Sequence, residues 1–232
     1  MNTNNLNNLS SLSNLNNLKD YHQPDFYHFN EDSLIVKDLA SHYLNELSSS
    51  SNNISNPVQI LDLCAGCGII GLELLTYHHN TFNSNGRNLS ITFNELQDSY
   101  HSYFQKNLNA IDPNGTTQTS WINAPMSNLQ KPEFKEQYDL IVSNPPYFEK
   151  ENGRLSNNHS KNICRFFMED NFEIFFNVIE HCLKWDGRAF FSCRLNEDEV
   201  SPYTTSSKEL KTQLLKQDGK IYYYQLKKLS NR

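Results

Sequence analysis

Asn144-Pro145-Pro146-Tyr147 is a run of residues suited to holding an exocyclic amine. The Asn side-chain oxygen is an acceptor, and Pro145, in a rigid turn without N–H groups, leaves its carbonyl free as a second one. Two acceptors match the two protons of an NH₂ group, and the ring of Tyr147 offers a face on which a planar base or amide stacks. Held this way, the amine nitrogen directs its lone pair at an electrophile, so the chemistry is alkylation of a planar NH₂ group. Asn and Pro are also common turn residues. The same four positions therefore read as a strand terminator followed by an aromatic packed inward.

The motif needs a strand beneath it and a cofactor loop beside it. Tyr138 to Ser143 is an apolar run that the motif ends. Upstream, Ile60 to Leu75 reads as a buried strand, a glycine turn and a helix start. Gly66 and Gly68 allow backbone to approach a ligand and permit positive φ, while a helix opening near Gly68 aims N–H groups at anionic or carboxylate-bearing ligands. Asp62, at the end of the strand, is placed to contact an ammonium or to organise the turn. The spacing is Asp-x-x-x-Gly-x-Gly, and Gly71 falls one turn into the helix, unlike the dinucleotide fingerprint. A second strand, Leu89 to Asn94, ends at Glu95, where open α/β folds hold ribose hydroxyls. Asp62, Glu95 and Asn144 thus fall at the carboxyl ends of successive strands, the ligand edge of such a sheet.

With both motifs in this order, residues 21 to 200 resemble class I S-adenosylmethionine-dependent methyltransferases that carry Asn-Pro-Pro-Tyr and modify planar amines. The resemblance implies a Rossmann-like α/β domain, a central mostly parallel sheet with helices on both faces. It implies cofactor contacts from Asp62, Cys64, Gly66, Gly68, Glu95, Leu96, Asn123, Ala124 and Asn144, and a catalytic motif of Asn144, Pro145, Pro146 and Tyr147. Cys64 stands where many members have a first glycine. Asn123 stands where an Asp commonly meets the cofactor adenine, and its amide oxygen remains an acceptor. Tyr21 to Ile35 is similar to the opening of the valine-tRNA adenine-N6 methyltransferases, with a Pro, an aromatic pair and an Asp-Ser-Leu step before the first helix. That similarity implies methylation of the adenine next to the anticodon of valine tRNA, a base splayed out of its loop. It also places Phe148, Arg165 and Arg194 at the substrate mouth.

Asn30 suits an N-cap, with Glu31 and Asp32 in the first turn. Ile35, Leu39, Tyr43 and Leu47 then form an i, i+4 stripe that packs the first helix on the sheet. Phe26, Tyr27 and Phe29 read either as a staple on the core or as a cover over the cofactor. Further on, Glu149 to Lys161 reads as a polar loop, Phe172 to Leu183 as a helix, Asp186-Gly187 as a turn and Arg188 to Leu195 as the fifth strand. The resemblance also implies a last hairpin of strands six and seven; Lys220 to Leu226 then reads as strand six, and the six residues after it leave the sheet edge short. Residues 201 to 232 hold seven basic side chains against two acidic ones, within a chain of net charge −6. Phosphate neutralisation drives RNA binding, so a local basic rim fits one structured tRNA and not a broad grip.

At 232 residues the chain suits one core, with a domain over 21 to 232. Leucines at 6, 9, 12, 15 and 18 drift about 60° per step around a helix, so 1 to 20 is predicted as a disordered tail. No apolar run approaches the roughly 20 residues of a membrane span, and the amino terminus lacks a basic-then-apolar signal. With five cysteines, the expectation is reduced thiols in a cytoplasmic monomer. Cys64-x-x-Cys67 lies inside the glycine turn and no metal is expected there, since zinc would need two further ligands at short spacing. Three rivals to tRNA adenine remain open: guanine-N2 methylation of ribosomal RNA, glutamine-N5 methylation of release factors, and a non-catalytic module of the same fold.

Overall fold

A computed structural model describes residues 21–49, 56–82, 87–150, 153–195 and 209–230. The predicted tail at 1 to 20 lies outside them. Seven strands form one sheet, in the order β3-β2-β1-β4-β7-β9-β8. Its centre is β1 (Val58–Leu63), parallel to β2 (Leu89–Glu95) on one side and to β4 (Tyr138–Ser143) on the other. Strand β3 (Gln118–Asn123) continues parallel beyond β2, and β7 (Leu183–Arg194) beyond β4. Parallel central strands are covered on both faces, so they read as continuous apolar runs. Alternation along β1 divides two cores: Val58 and Ile60 pack with Leu44, Leu72 and Phe104, whereas Leu61 and Leu63 pack with Phe175, Ile179 and Phe191. The first face is covered by α1 (Glu31–Ser49), α2 (Ile69–Phe82) and α3 (His101–Ile111), and the second by α5 (Phe172–Cys182). The Asn171 side chain caps α5 by accepting from the Ile174 N–H at 2.8 Å.

Several sequence expectations shift. Helix α1 buries Ser33, Val36, Ala40, Ser41, Tyr43, Leu44 and Ser48, while Ile35, Leu39 and Leu47 lie half-buried at the border of the core. The buried face mixes small side chains, Ser33, Ala40, Ser41 and Ser48, with Val36, Tyr43 and Leu44, and counting large apolar side chains alone does not find its small members. Strand β7 begins at Leu183, five residues before the predicted start. Its register against β4 jumps from Tyr138↔Leu183 to Leu140↔Arg188, and the predicted turn at Asp186-Gly187 is the bulge between, with Asp186 at φ 63°. The hairpin is also relocated. Strand β9 (Ile221–Lys228) matches strand six, but its partner β8 (Leu210–Asp218) precedes it through a turn at Gly219, φ 56°. The sheet edge expected to be short is therefore closed by β8. The mostly exposed and polar β8, Leu-Lys-Thr-Gln-Leu-Leu-Lys-Gln-Asp, carries little strand pattern of its own. Helix α4 (His159–Arg165) begins within the polar loop predicted after the motif and runs beyond it, and β5 (Phe148–Glu149) pairs parallel with β6 (Phe166–Phe167).

Candidate active site

The carboxyl ends of β1, β2, β3, β4 and β7 all border one cavity of about 250 Å³. The end of β1 supplies the turn Cys64 to Cys67, followed by Ile69 and Ile70 of α2. This turn is built from left-handed backbone: φ is 61° at Cys64, 55° at Gly66 and 85° at Gly68. Cys64 thus adopts the conformation that a glycine takes without steric cost. The Gly68 N–H closes the turn on the Ala65 carbonyl at 2.8 Å, and the Leu72 N–H donates to the Gly68 carbonyl at 2.9 Å to start the helix. Asp62 lies beneath, fully buried, and accepts from the Gly71 N–H at 2.8 Å. It organises the turn and is not among the residues lining the cavity.

Glu95 ends β2 on the cavity wall, where it accepts from the Gly66 N–H and the Gln97 N–H, each at 2.9 Å. Burial pushes its carboxyl up from the usual range, and these N–H groups oppose the rise. Leu96, Gln97 and Tyr100 continue the wall, and Ala124 and Met126 extend it past β3. Asn123 is turned elsewhere. Its amide donates to the carbonyls of Glu95 and Leu96, both at 3.0 Å, and it does not line the cavity. Gly68 is likewise covered, with the Phe104 ring against it. Burial pushes the Cys64 thiol well up and the Cys67 thiol up to about 12, so neither is a ready thiolate.

The whole tetrad from Asn144 to Tyr147, and Phe148 after it, line the same cavity. The Tyr147 N–H donates to the Arg165 carbonyl at 3.1 Å, and the β5–β6 pair ties Phe148 to Phe166. Arg165 and Arg194 both border the cavity, and the Arg165 guanidinium lies 5.5 Å from the Phe166 ring centre. The amino-terminal segment closes another side with Gln23, Tyr27, Phe29, Asn30 and Ser33. It is strapped down by Tyr21 donating to Glu73 at 2.7 Å and by Asn107, which accepts from the His22 N–H and donates to its carbonyl. Of its aromatics, Phe26 packs on the core edge-on to Tyr100, Phe29 packs on the core edge-on to Tyr21 and also borders the cavity, and Tyr27 lines the cavity.

Three further polar residues, Ser33, Ser192 and Asp32, meet the motif, with Tyr223 behind Asp32, and reasoning from local pattern missed them as partners. The Asn144 amide donates to Ser33 Oγ at 2.9 Å and its oxygen accepts from Ser192 Oγ at 2.6 Å. The Tyr147 hydroxyl donates to Asp32 at 2.9 Å, and Tyr223 donates to the other Asp32 oxygen at 3.0 Å. The Asp-Ser step, which falls in the first turn of α1, was the one available signal. Contacts across 111 and 48 positions leave no trace in spacing.

No family model matches the chain. The ribosomal protein uL3 glutamine methyltransferase of Francisella tularensis subsp. tularensis is 30% identical over 113 residues, 49% of this chain and 32% of that protein. The chain therefore spans about a third of the length of the curated relative it matches. Among solved structures, the candidate methyltransferase yhhF from Escherichia coli is 15% identical with a TM-score of 0.58, covering 90% of this chain and 91% of that one. The catalytic domain of hMettl16, in complex with the MAT2A 3′UTR hairpin 1, is 14% identical with a TM-score of 0.58, covering 91% and 75%. Sheet order, parallel core and closing hairpin agree with these likenesses: the chain has the Rossmann-like fold of class I S-adenosylmethionine-dependent methyltransferases.

Proposed function

We propose that this protein is an S-adenosylmethionine-dependent methyltransferase acting on the N6 amine of an adenine in tRNA, the adenine beside the anticodon of valine tRNA. The observation that carries the reading is the convergence of the glycine turn, Glu95 and the Asn144 to Tyr147 motif on one cavity. The residues present suit the cofactor. At Gly66 a side chain would rise toward the Tyr100 ring, 3.7 Å away, in a turn that leaves backbone exposed to a ligand. The turn would hold the methionine moiety, Glu95 the ribose, and Leu96 and Ala124 the base. When bound, the cofactor supplies an electrophilic methyl group.

The chain's own residues do the rest. The Asn144 oxygen and the Pro145 carbonyl accept the two amine protons, which draws the nitrogen lone pair out of conjugation with the ring. Tyr147 stacks on the base and Phe148 flanks it. Orientation supplies most of the rate, because a planar amine held in line needs no strong base. Arg165 and Arg194, which line the cavity, would meet phosphates of the RNA. A glutamine side-chain amide is also a planar NH₂ group, and the uL3 relative favours it as the second reading.

Labelled methyl transfer to total tRNA and, separately, to ribosomal protein distinguishes the two. The expected result is N6-methyladenosine in digested tRNA, with Asn144→Ala losing at least a hundredfold in turnover while cofactor binding persists. Label recovered only as methylglutamine would replace the tRNA reading with the protein one.

A further inference from the structure

The motif is embedded in a polar network drawn from four distant segments. Asp32 and Ser33 open α1, Ser192 lies on β7, Tyr223 on β9, and Asn144 and Tyr147 follow β4. Ser33, Ser192 and Tyr223 are buried. We propose that Asp32, Ser33 and Ser192 are positioning residues for the amine alkylation, setting the amide plane of Asn144 and the ring of Tyr147 before a substrate arrives; this rests on the reading given above.

The hydrogen-bond lengths and proton counts assign a direction to the network. A carboxylate has acceptors only, so both tyrosine hydroxyls donate to Asp32, Tyr147 at 2.9 Å and Tyr223 at 3.0 Å. The single Tyr147 proton is then committed, although Ser192 Oγ lies 3.3 Å from its hydroxyl. The single Ser192 proton goes to Asn144, because 2.6 Å is the length of an O–H···O bond and short for N–H···O. The Asn144 NH₂ therefore faces Ser33 Oγ, at 2.9 Å, and its oxygen keeps one lone pair for a substrate amine. Two contacts fix the amide plane and a third fixes the tyrosine ring. Because Ser33, Ser192 and Tyr223 are buried, losing one member of the network leaves its partners unpaired away from water.

The test compares kcat, KM and cofactor affinity, using S-adenosylmethionine with total tRNA for turnover and S-adenosylhomocysteine calorimetry for binding. Asp32→Ala is expected to lower kcat at least tenfold with cofactor affinity within twofold. Asp32→Asn, which keeps one acceptor, restores part of the loss. In a Tyr147→Phe background, Asp32→Ala lowers kcat by less than a further twofold, because its effect runs through that hydroxyl. Likewise Ser192→Ala lowers kcat in the wild type and adds nothing to Asn144→Ala. A loss from Asp32→Ala that is as large in the Tyr147→Phe background, or that falls in step with melting temperature and cofactor affinity, would overturn the assignment. Should Asp32→Ala fail to fold, Asp32→Asn in both backgrounds decides by the same comparison. If label passes to ribosomal protein instead of tRNA, the same variants are compared on that substrate, and the tRNA reading alone fails. Wild-type protein that binds S-adenosylhomocysteine but transfers label to neither would overturn the alkylating reading and this assignment with it.

Discussion

Asp62 is a carboxyl group withdrawn from water at the root of the cofactor turn. One oxygen accepts from Gly71 and the other, buried, has no hydrogen-bond partner among the described residues. Burial pushes its pKa up to about 8, against the pull of the Gly71 N–H, and the nearby Glu95 adds to the rise. In the unfolded chain an Asp titrates near about 3.9. A folded pKa above the unfolded one means that the native state binds the extra proton. Its contribution to stability is complete below about pH 4 and is lost as pH rises toward about 8. Asp62→Asn, which keeps an acceptor for Gly71, should flatten that fall. The check is melting temperature between pH 5 and pH 9 without cofactor, where equal slopes in wild type and variant would remove Asp62 as the cause. Asn144 and Tyr147 were legible at this scale because their chemistry is contained in four adjacent residues. Their partners were not, since a serine on β7 shows nothing in sequence of the amide it will face.

The glycine turn makes different demands on its two glycines. A Cβ at Gly68 would stand 2.8 Å from the Phe104 ring and 3.2 Å from Leu72, at a φ of 85°. The left-handed backbone costs a non-glycine residue about 1–2 kcal/mol and overpacking adds about 1–3 kcal/mol. Gly68→Ala should therefore lose about 2–5 kcal/mol of stability. A Cβ at Gly66 meets nothing nearer than 3.7 Å, so Gly66→Ala should lose only the backbone share, about 1–2 kcal/mol. Urea midpoints measure both, and equal losses would show that the Phe104 contact yields freely. Strand and turn here were readable because glycine placement and a buried apolar run are local signals. Helix α1 was legible as a helix but its buried face only in part, and β8 was not found. The small members of that face, Ser33, Ala40, Ser41 and Ser48, carry no apolar signal, and β8 is held by ladder bonds to β9 rather than by its own pattern.

The molecule as a whole carries a charge of −6, so any hold on RNA must be local. Arg165 and Arg194 line the cavity. If each neutralises one phosphate, removing either should reduce the slope of log affinity against log salt by about 0.7–0.9. A tRNA-binding titration across salt with Arg165→Ala and Arg194→Ala reads this directly, and unchanged slopes would return both residues to ordinary surface. The fold class and the two motifs were already present in the linear chain. Apolar strands, a glycine turn and a proline-stiffened tetrad are each made by neighbours, and their order along the chain puts their ends at one sheet edge. What could not be read there was which side chains complete the site. Asp32 and Ser33 reach the motif across more than a hundred positions, Ser192 and Tyr223 arrive from strands paired to its far side, and Asn123 is turned onto backbone carbonyls away from the cavity. Hydrogen bonding among separated segments depends on where packing brings them, and packing is settled by all the elements together.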